Sequence, residues 1–164
     1  MISSRGFSLV ELLVVISIIA IVSAVGITGY ISYSRAQTLK SGVDDVASLL
    51  LTARSNAVTQ LKPTATTDCT SSVLNGYTVT KCPNGCSSTQ TYQLSVRCAG
   101  VDQTPILVKT LPRQVTFQVT SEQKFFFPIL TSTMQSPNGN TIVVSGFGKT
   151  KTITIQPDGR ITIN

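Results

Sequence analysis

Between Phe7 and Ile31 the chain is apolar on all sides, interrupted by Glu11 and a few Ser, Thr and Gly. Residues 12–16 and 18–22 are almost wholly aliphatic, so no single helical face stands out. These 25 residues exceed the roughly 20 that a helical membrane span requires. After Ile31 the pattern turns one-sided. Leu39, Val43, Val46, Leu50, Ala53, Ala57 and Leu61 recur at steps of three and four, and Arg35, Lys40, Asp44, Asp45, Arg54 and Asn56 fall on the other faces. That spacing draws one apolar stripe along a helix, and Pro63 is expected to end it. The reading is a single helix from Phe7 to about Leu61, about 55 residues and about 80 Å long. Gly26 and Gly29 are its weak points, each costing about 1 kcal/mol relative to Ala. As two small residues they also permit close helix approach.

Beyond a Thr/Ser-rich loop from Pro63 to Asn75 the periodicity changes to two. Short β-type runs are predicted at 77–81, 92–97, 106–109, 115–119, 124–127, 141–145, 152–156 and 160–163. Asn84-Gly85, Asn138-Gly139 and Asp158-Gly159 supply tight-turn pairs. Eight short strands without intervening helices predict an antiparallel two-sheet head, so the fold class is α+β. The expected organisation is a short N-terminal segment at 1–6, an apolar helical part at 7–31, an amphipathic helical part at 32–62 and a β head at 63–164.

Composition sharpens this picture. Only 12% of residues are charged, and the mean hydropathy is +0.26, largely because of residues 7–31. Thirteen Lys and Arg against seven Asp and Glu give a net charge of +6, which permits contact with phosphate or anionic lipid without requiring it. The four cysteines, Cys69, Cys82, Cys86 and Cys98, cluster behind the membrane-type segment and predict two disulfides in an oxidising compartment. A zinc site fits less well, because Cys69 and Cys98 do not form a second close pair and the chain has no His. Three connectivities are open. If 77–81 and 92–97 pair as a hairpin, Cys98 returns near the start of the first strand. That favours Cys69–Cys98 with Cys82–Cys86.

Glu11 is the anomaly. A carboxylate in hydrocarbon costs on the order of 2–3 kcal/mol near the bilayer centre and less near the interface, so a cationic partner is expected. An ordinary secretory signal cut after Val22-Ser23-Ala24 is the competing reading. It sits poorly with the short cationic leader, the apolar run continuing past the cut, and Glu11 itself.

Gly6-Phe7-Ser8-Leu9-Val10-Glu11 followed by Leu-Leu-Val-Val-Ile closely resembles the N-terminal signal of type IV pilins and pseudopilins. The resemblance covers about the first sixty residues. It implies cleavage between Gly6 and Phe7 by a membrane-embedded prepilin peptidase, methylation of the new amine on Phe7, and a role for Glu11 in assembly. Many major pilins carry a helix-breaking Pro in this region; this chain has Thr28 and no Pro there.

Two further stretches are similar to the GspH/FimT branch of minor pilins and H-type pseudopilins: Leu49 to Val58, LLLTARSNAV, and the closing TITIQPDGRITIN. Some members of that branch bind DNA through a C-terminal G-R-x-R element. Gly159 and Arg160 match it, but Thr162 stands in place of the second Arg. Lys149, Lys151 and Arg160 are the cations that would serve such contact if they share a face. Without interleaved aromatics, they read equally as a solvated edge that discourages strand pairing.

An enzyme is the weakest reading. With no His, a serine triad or a zinc–water site lacks its usual base or ligand. The carboxylates of the head, Asp68, Asp102, Glu122 and Asp158, are sparse, and no phosphate loop or dinucleotide fingerprint occurs. No cofactor or metal is expected. What the resemblance implies is a structural subunit held in the cytoplasmic membrane with its head outside the cytoplasm, then polymerised with other pilin or pseudopilin subunits. A minor pilin or H-type pseudopilin is favoured, and a subunit of a type II secretion pseudopilus or a DNA-uptake pilin remains open. A secreted, disulfide-stapled binding module is the alternative of a different class.

Overall fold

The computed structural model describes residues 8–63, 69, 72–83, 90–118, 122–137 and 139–164, excepting the side chains of 24–26. The chain divides into two compact units, Met1–Gln37 and Thr38–Asn164. Helix α1, Leu9–Val58, contributes to both. It runs without a break through Gly29.

In the first unit every described side chain from Ser8 to Tyr33 is exposed. Leu9 is 80% and Ile21 68% exposed, so this half of the helix has no apolar surface of its own unit to pack on. Its polar interruptions are satisfied locally. Ser17 donates its hydroxyl to the Val14 carbonyl at 2.7 Å, the back-bond that lets a hydroxyl reside in an apolar helix.

The second unit opens with the amphipathic part of α1. Leu39, Val43, Val46, Leu50, Ala53 and Ala57 are all buried, and Ala47 and Leu49 join them. The predicted stripe is therefore the core face, with one correction: Leu61 is 56% exposed. The helix stops at Val58, before Pro63 can act. Gln60 adopts φ +52°, Leu61 N–H donates to the Asn56 carbonyl at 3.1 Å, and Gln60 N–H donates to the Ala57 carbonyl at 3.3 Å. This paired 6→1 and 5→2 closure is a Schellman motif, built on a Gln where Gly is usual. Leu61 thus leaves the helical stripe, and its carbonyl accepts the Tyr77 hydroxyl.

Eight strands follow: β1 Leu74–Lys81, β2 Thr91–Cys98, β3 Val101–Thr110, β4 Val115–Phe117, β5 Gln123–Pro128, β6 Thr141–Gly146, β7 Lys149–Ile155 and β8 Ile161–Ile163. They form two four-stranded antiparallel sheets, ordered β3-β2-β1-β5 and β4-β6-β7-β8. Both sheets share one core with the helix. Tyr77, Val79, Leu94, Phe125 and Phe127 come from the first sheet, and Val115, Phe117, Ile142, Val144, Ile153 and Ile155 from the second. Alternate burial along β6 and β5 reflects the period-two side-chain alternation of a strand. At the helix flank, Asp45 pairs with Lys109 of β3 at 3.7 Å. Tyr92 lies edge-on to Phe117, centroids 6.3 Å apart. Burial, with Asp45 as the lesser cause, pushes its hydroxyl pKa up to about 12. Lys81 is 2% exposed, its ammonium 5.5 Å from the Phe117 ring centre, and burial pushes its pKa down.

Three strands start well ahead of their expected positions: β1 at Leu74 instead of Tyr77, and β3 and β7. β3 begins at Val101, behind a two-residue turn in which Ala99 and Gly100 have φ +50° and +82°. It carries Pro105, because β3 is the outer strand of its sheet, where a missing N–H is tolerated. β7 begins at Lys149 behind Phe147-Gly148, φ +54° and +74°. Both turns carry the two positive φ values that match strand twist.

The β1–β2 hairpin pairs Leu74 with Cys98, and Cys98 forms a disulfide with Cys69, Cα–Cα 5.7 Å. Cys82 is also disulfide-bonded. Its expected partner, Cys86, lies outside the described residues, as do the leader, Gly6, Phe7, Asp68, the Asn84-Gly85 pair, Val119 and Asn138.

Candidate functional site

The candidate assembly site begins where α1 begins. Ser8 is the N-cap: its hydroxyl accepts the Glu11 N–H at 3.2 Å, and its carbonyl accepts the Leu12 N–H at 3.2 Å. Ser8-Leu9-Val10-Glu11 therefore has the spacing of a capping box, with Glu11 at the third helical position. The Ser-x-x-Glu spacing is legible in the sequence, and it marks Ser8 beside Glu11. Glu11 is exposed in the first turn of the helix, near the roughly half positive charge of the helix N-terminus. Behind it, α1 is long and apolar enough to cross a membrane, the one such helix among the described residues, with none of its apolar window buried.

A second arrangement lies in the head. Arg54 Nη2 donates to the Asp158 carbonyl at 3.3 Å, joining α1 to the β7–β8 turn. The turn itself is closed by Gly159 N–H to the Gln156 carbonyl at 2.8 Å and Arg160 N–H to Asp158 Oδ1 at 3.0 Å. Gly159 has φ +77°, and a Cβ there would fall on the Ser132 carbonyl and within 2.8 Å of Arg54 Nε. The ARS stretch and the PDGR turn, 104 residues apart, thus form one contact, beside an open groove of about 490 Å³ lined by Leu51, Arg54, Val58 and Ser132. Gly159→Ala should destabilise the head by about 2 kcal/mol or more, since a left-handed non-glycine residue alone costs 1–2 kcal/mol. Thermal unfolding of the full chain in detergent, followed by circular dichroism, measures this as a drop of several degrees in Tm. An unchanged Tm would mean that the turn relaxes freely.

The three cations considered for DNA contact are not gathered. Lys149 is opposite Gly146 and Lys151 opposite Val144, at one end of β7. Arg160 lies past the other end, where the Gln156 N–H donates to its carbonyl, with its guanidinium 3.9 Å from Asp158. In register Arg160 falls opposite Gln156, one step beyond the Ile155–Ile161 pair, so strand alternation puts it on the other face from Lys149 and Lys151. The shared face that joint DNA contact would need is not what this register gives. Among the described residues no three His, Cys, Asp or Glu side chains come together as a metal site would require.

Comparison with known proteins fits this geometry at both ends. Residues 1–27 match the family model of the prokaryotic N-terminal methylation motif. No curated protein matches the chain. Among solved structures, the chain is similar to the crystal structure of the type IV minor pilin FimU of Pseudomonas aeruginosa, with a TM-score of 0.52 and 17% sequence identity over 80% of this chain and 92% of that one. The chain thus joins a prokaryotic N-terminal methylation motif to an α+β fold similar to that of a solved minor pilin.

Proposed function

We propose that the protein is a minor subunit of a type IV pilus or related filament, made as a prepilin and assembled through the first half of α1. The observation that carries this reading is an exposed, membrane-length apolar helix led by a methylation motif with a carboxylate in its first turn. Prepilin peptidase cuts between Gly6 and Phe7 and the new amine is methylated. The apolar half holds the protein in the cytoplasmic membrane, with the head outside the cytoplasm, until polymerisation. Methylation leaves the amine of Phe7 cationic. In an apolar filament core an isolated charge is costly and is tolerated when paired. Glu11 supplies the opposite charge, to its own chain end or to that of a neighbour. Wrong axial registers leave one charge unpaired, so the pair selects the register more than it adds strength. The Arg54–Asp158 contact supports the GspH/FimT branch, because the two stretches resembling that branch meet in it.

Mass spectrometry of the mature protein from its native membrane tests the reading. The expected N-terminus is N-methylated Phe7, with the protein retained in the membrane fraction when filaments are absent. A mature protein beginning at Val25 and released from the membrane would instead make it a secreted module.

A further inference from the structure

We propose that the outer face of the β3-β2-β1-β5 sheet carries a binding site for a neutral saccharide. On the face opposite the core, Thr80 and Ser95 are only 4% and 2% exposed, yet what surrounds them is polar. With Gln93, Asp102, Glu122 and Lys124 they line a cavity of about 400 Å³, bordered by the rings of Pro83 and Pro105. Strand register builds it. Thr80 stands between Gln93 of β2 and Lys124 of β5, and Ser95 stands between Thr78 of β1 and Pro105 of β3.

Electrostatics narrow the ligand. Lys124 Nζ sits 3.5 Å from Asp102 Oδ2 and 3.4 Å from Glu122 Oε1, and Arg97 Nε sits 3.9 Å from Asp102 Oδ1. Two carboxylates thus meet two cations. A metal ion would have to displace the ammonium, and an anion would meet no excess positive charge. Asp102 is further held by the Thr78 hydroxyl at 2.8 Å, which fixes its oxygens. A fixed carboxylate accepts hydrogen bonds from neighbouring hydroxyls, amide and hydroxyl side chains both donate and accept, and proline rings offer C–H surface. A sugar ring presents adjacent hydroxyls around a C–H body, matching each of these. The volume is within the range of small-ligand pockets and admits one or two rings. This inference is independent of the pilus reading.

The test uses the full chain in a zwitterionic detergent without a sugar head group, applied to an array of oligosaccharides and then titrated with the retained compounds. One arm carries neutral hexose chains and another β-1,4-linked N-acetylglucosamine chains, which separates surface glycan from cell-wall polymer as the source. Retention in either arm is the expected result. Affinity should fall about tenfold or more in Asp102→Asn, the effect of losing one hydrogen bond to a charged group, fall by about threefold or more in Ser95→Val, which loses a neutral one, and stay unchanged in Lys149→Ala. If Ser95→Val does not fold, Gln103→Ala, at another residue lining the cavity, takes its place. No retained saccharide, retention of acidic saccharides only, or binding that survives both substitutions overturns the proposal.

Discussion

Glu11→Ala is expected to be cleaved before Phe7 and kept in the membrane as the native chain is, while its incorporation into filaments falls at least about a hundredfold. Removing one partner of a buried ion pair leaves the other charge uncompensated, at about 3–5 kcal/mol, or a factor of roughly 10² to several times 10³ in an association constant. In the membrane the balance is opposite. Loss of a carboxylate from an apolar segment eases residence there by up to about 2–3 kcal/mol. Both effects move the subunit from filament towards membrane. The capping geometry makes a control necessary, because Glu11 also occupies the third position of a helix capped by Ser8. Ser8→Ala removes that cap at a cost of about 1 kcal/mol but leaves the charge in place, so it should assemble at close to native level. Immunoblots of sheared filaments and membranes compare the variants. Native incorporation of Glu11→Ala would remove charge pairing from the account, and equal failure of both variants would assign the residue to helix initiation.

Replacing Cys69 and Cys98 together by Ala should cost the head about 3–4 kcal/mol. The bridge closes a sequence separation of 29, and chain-entropy estimates for a loop of about 30 residues give roughly that figure. Against a typical total of about 5–15 kcal/mol, this is a large share of the stability of the head. Both cysteines are fully buried, so Ala is preferred to Ser, whose hydroxyl would add a desolvation cost. The readout is the loss of sheet signal on heating, with Tm lower by about 10 °C or more. A shift of under two degrees would mean that the β1–β2 hairpin and its core already order the preceding segment without the bridge.

Wherever structure follows from neighbours in sequence, the residues could be read directly. The apolar span, the helical stripe from Leu39 to Ala57 and the Asp158-Gly159 turn are local patterns. The Cys69–Cys98 bridge followed at one remove, because consecutive strands joined by a short connection pair with each other, and the β1–β2 hairpin brings Cys98 back to Leu74. The candidate site divides the same way. Glu11 stands out as a charge among aliphatics, and Ser8 is readable from its spacing to Glu11.

Other features were invisible without the third dimension. Helix α1 ends at a left-handed Gln60 because its last carbonyls find partners there, and no residue type signals that. Pro105 sits within a strand because β3 is an outer strand, a position set by which neighbours it lacks.

Local periodicity, charge and turn chemistry determined the long helix, the number of strands and the first hairpin, since each depends on residues a few positions apart. Tertiary structure alone decided that β5 joins β1, that β4 joins β6, that Arg54 reaches Asp158, and that Arg160 parts from Lys149 and Lys151. Those outcomes arise when two sheets must cover the same buried stripe of one helix, and the strand order that achieves this leaves no trace in the alternation of any single strand.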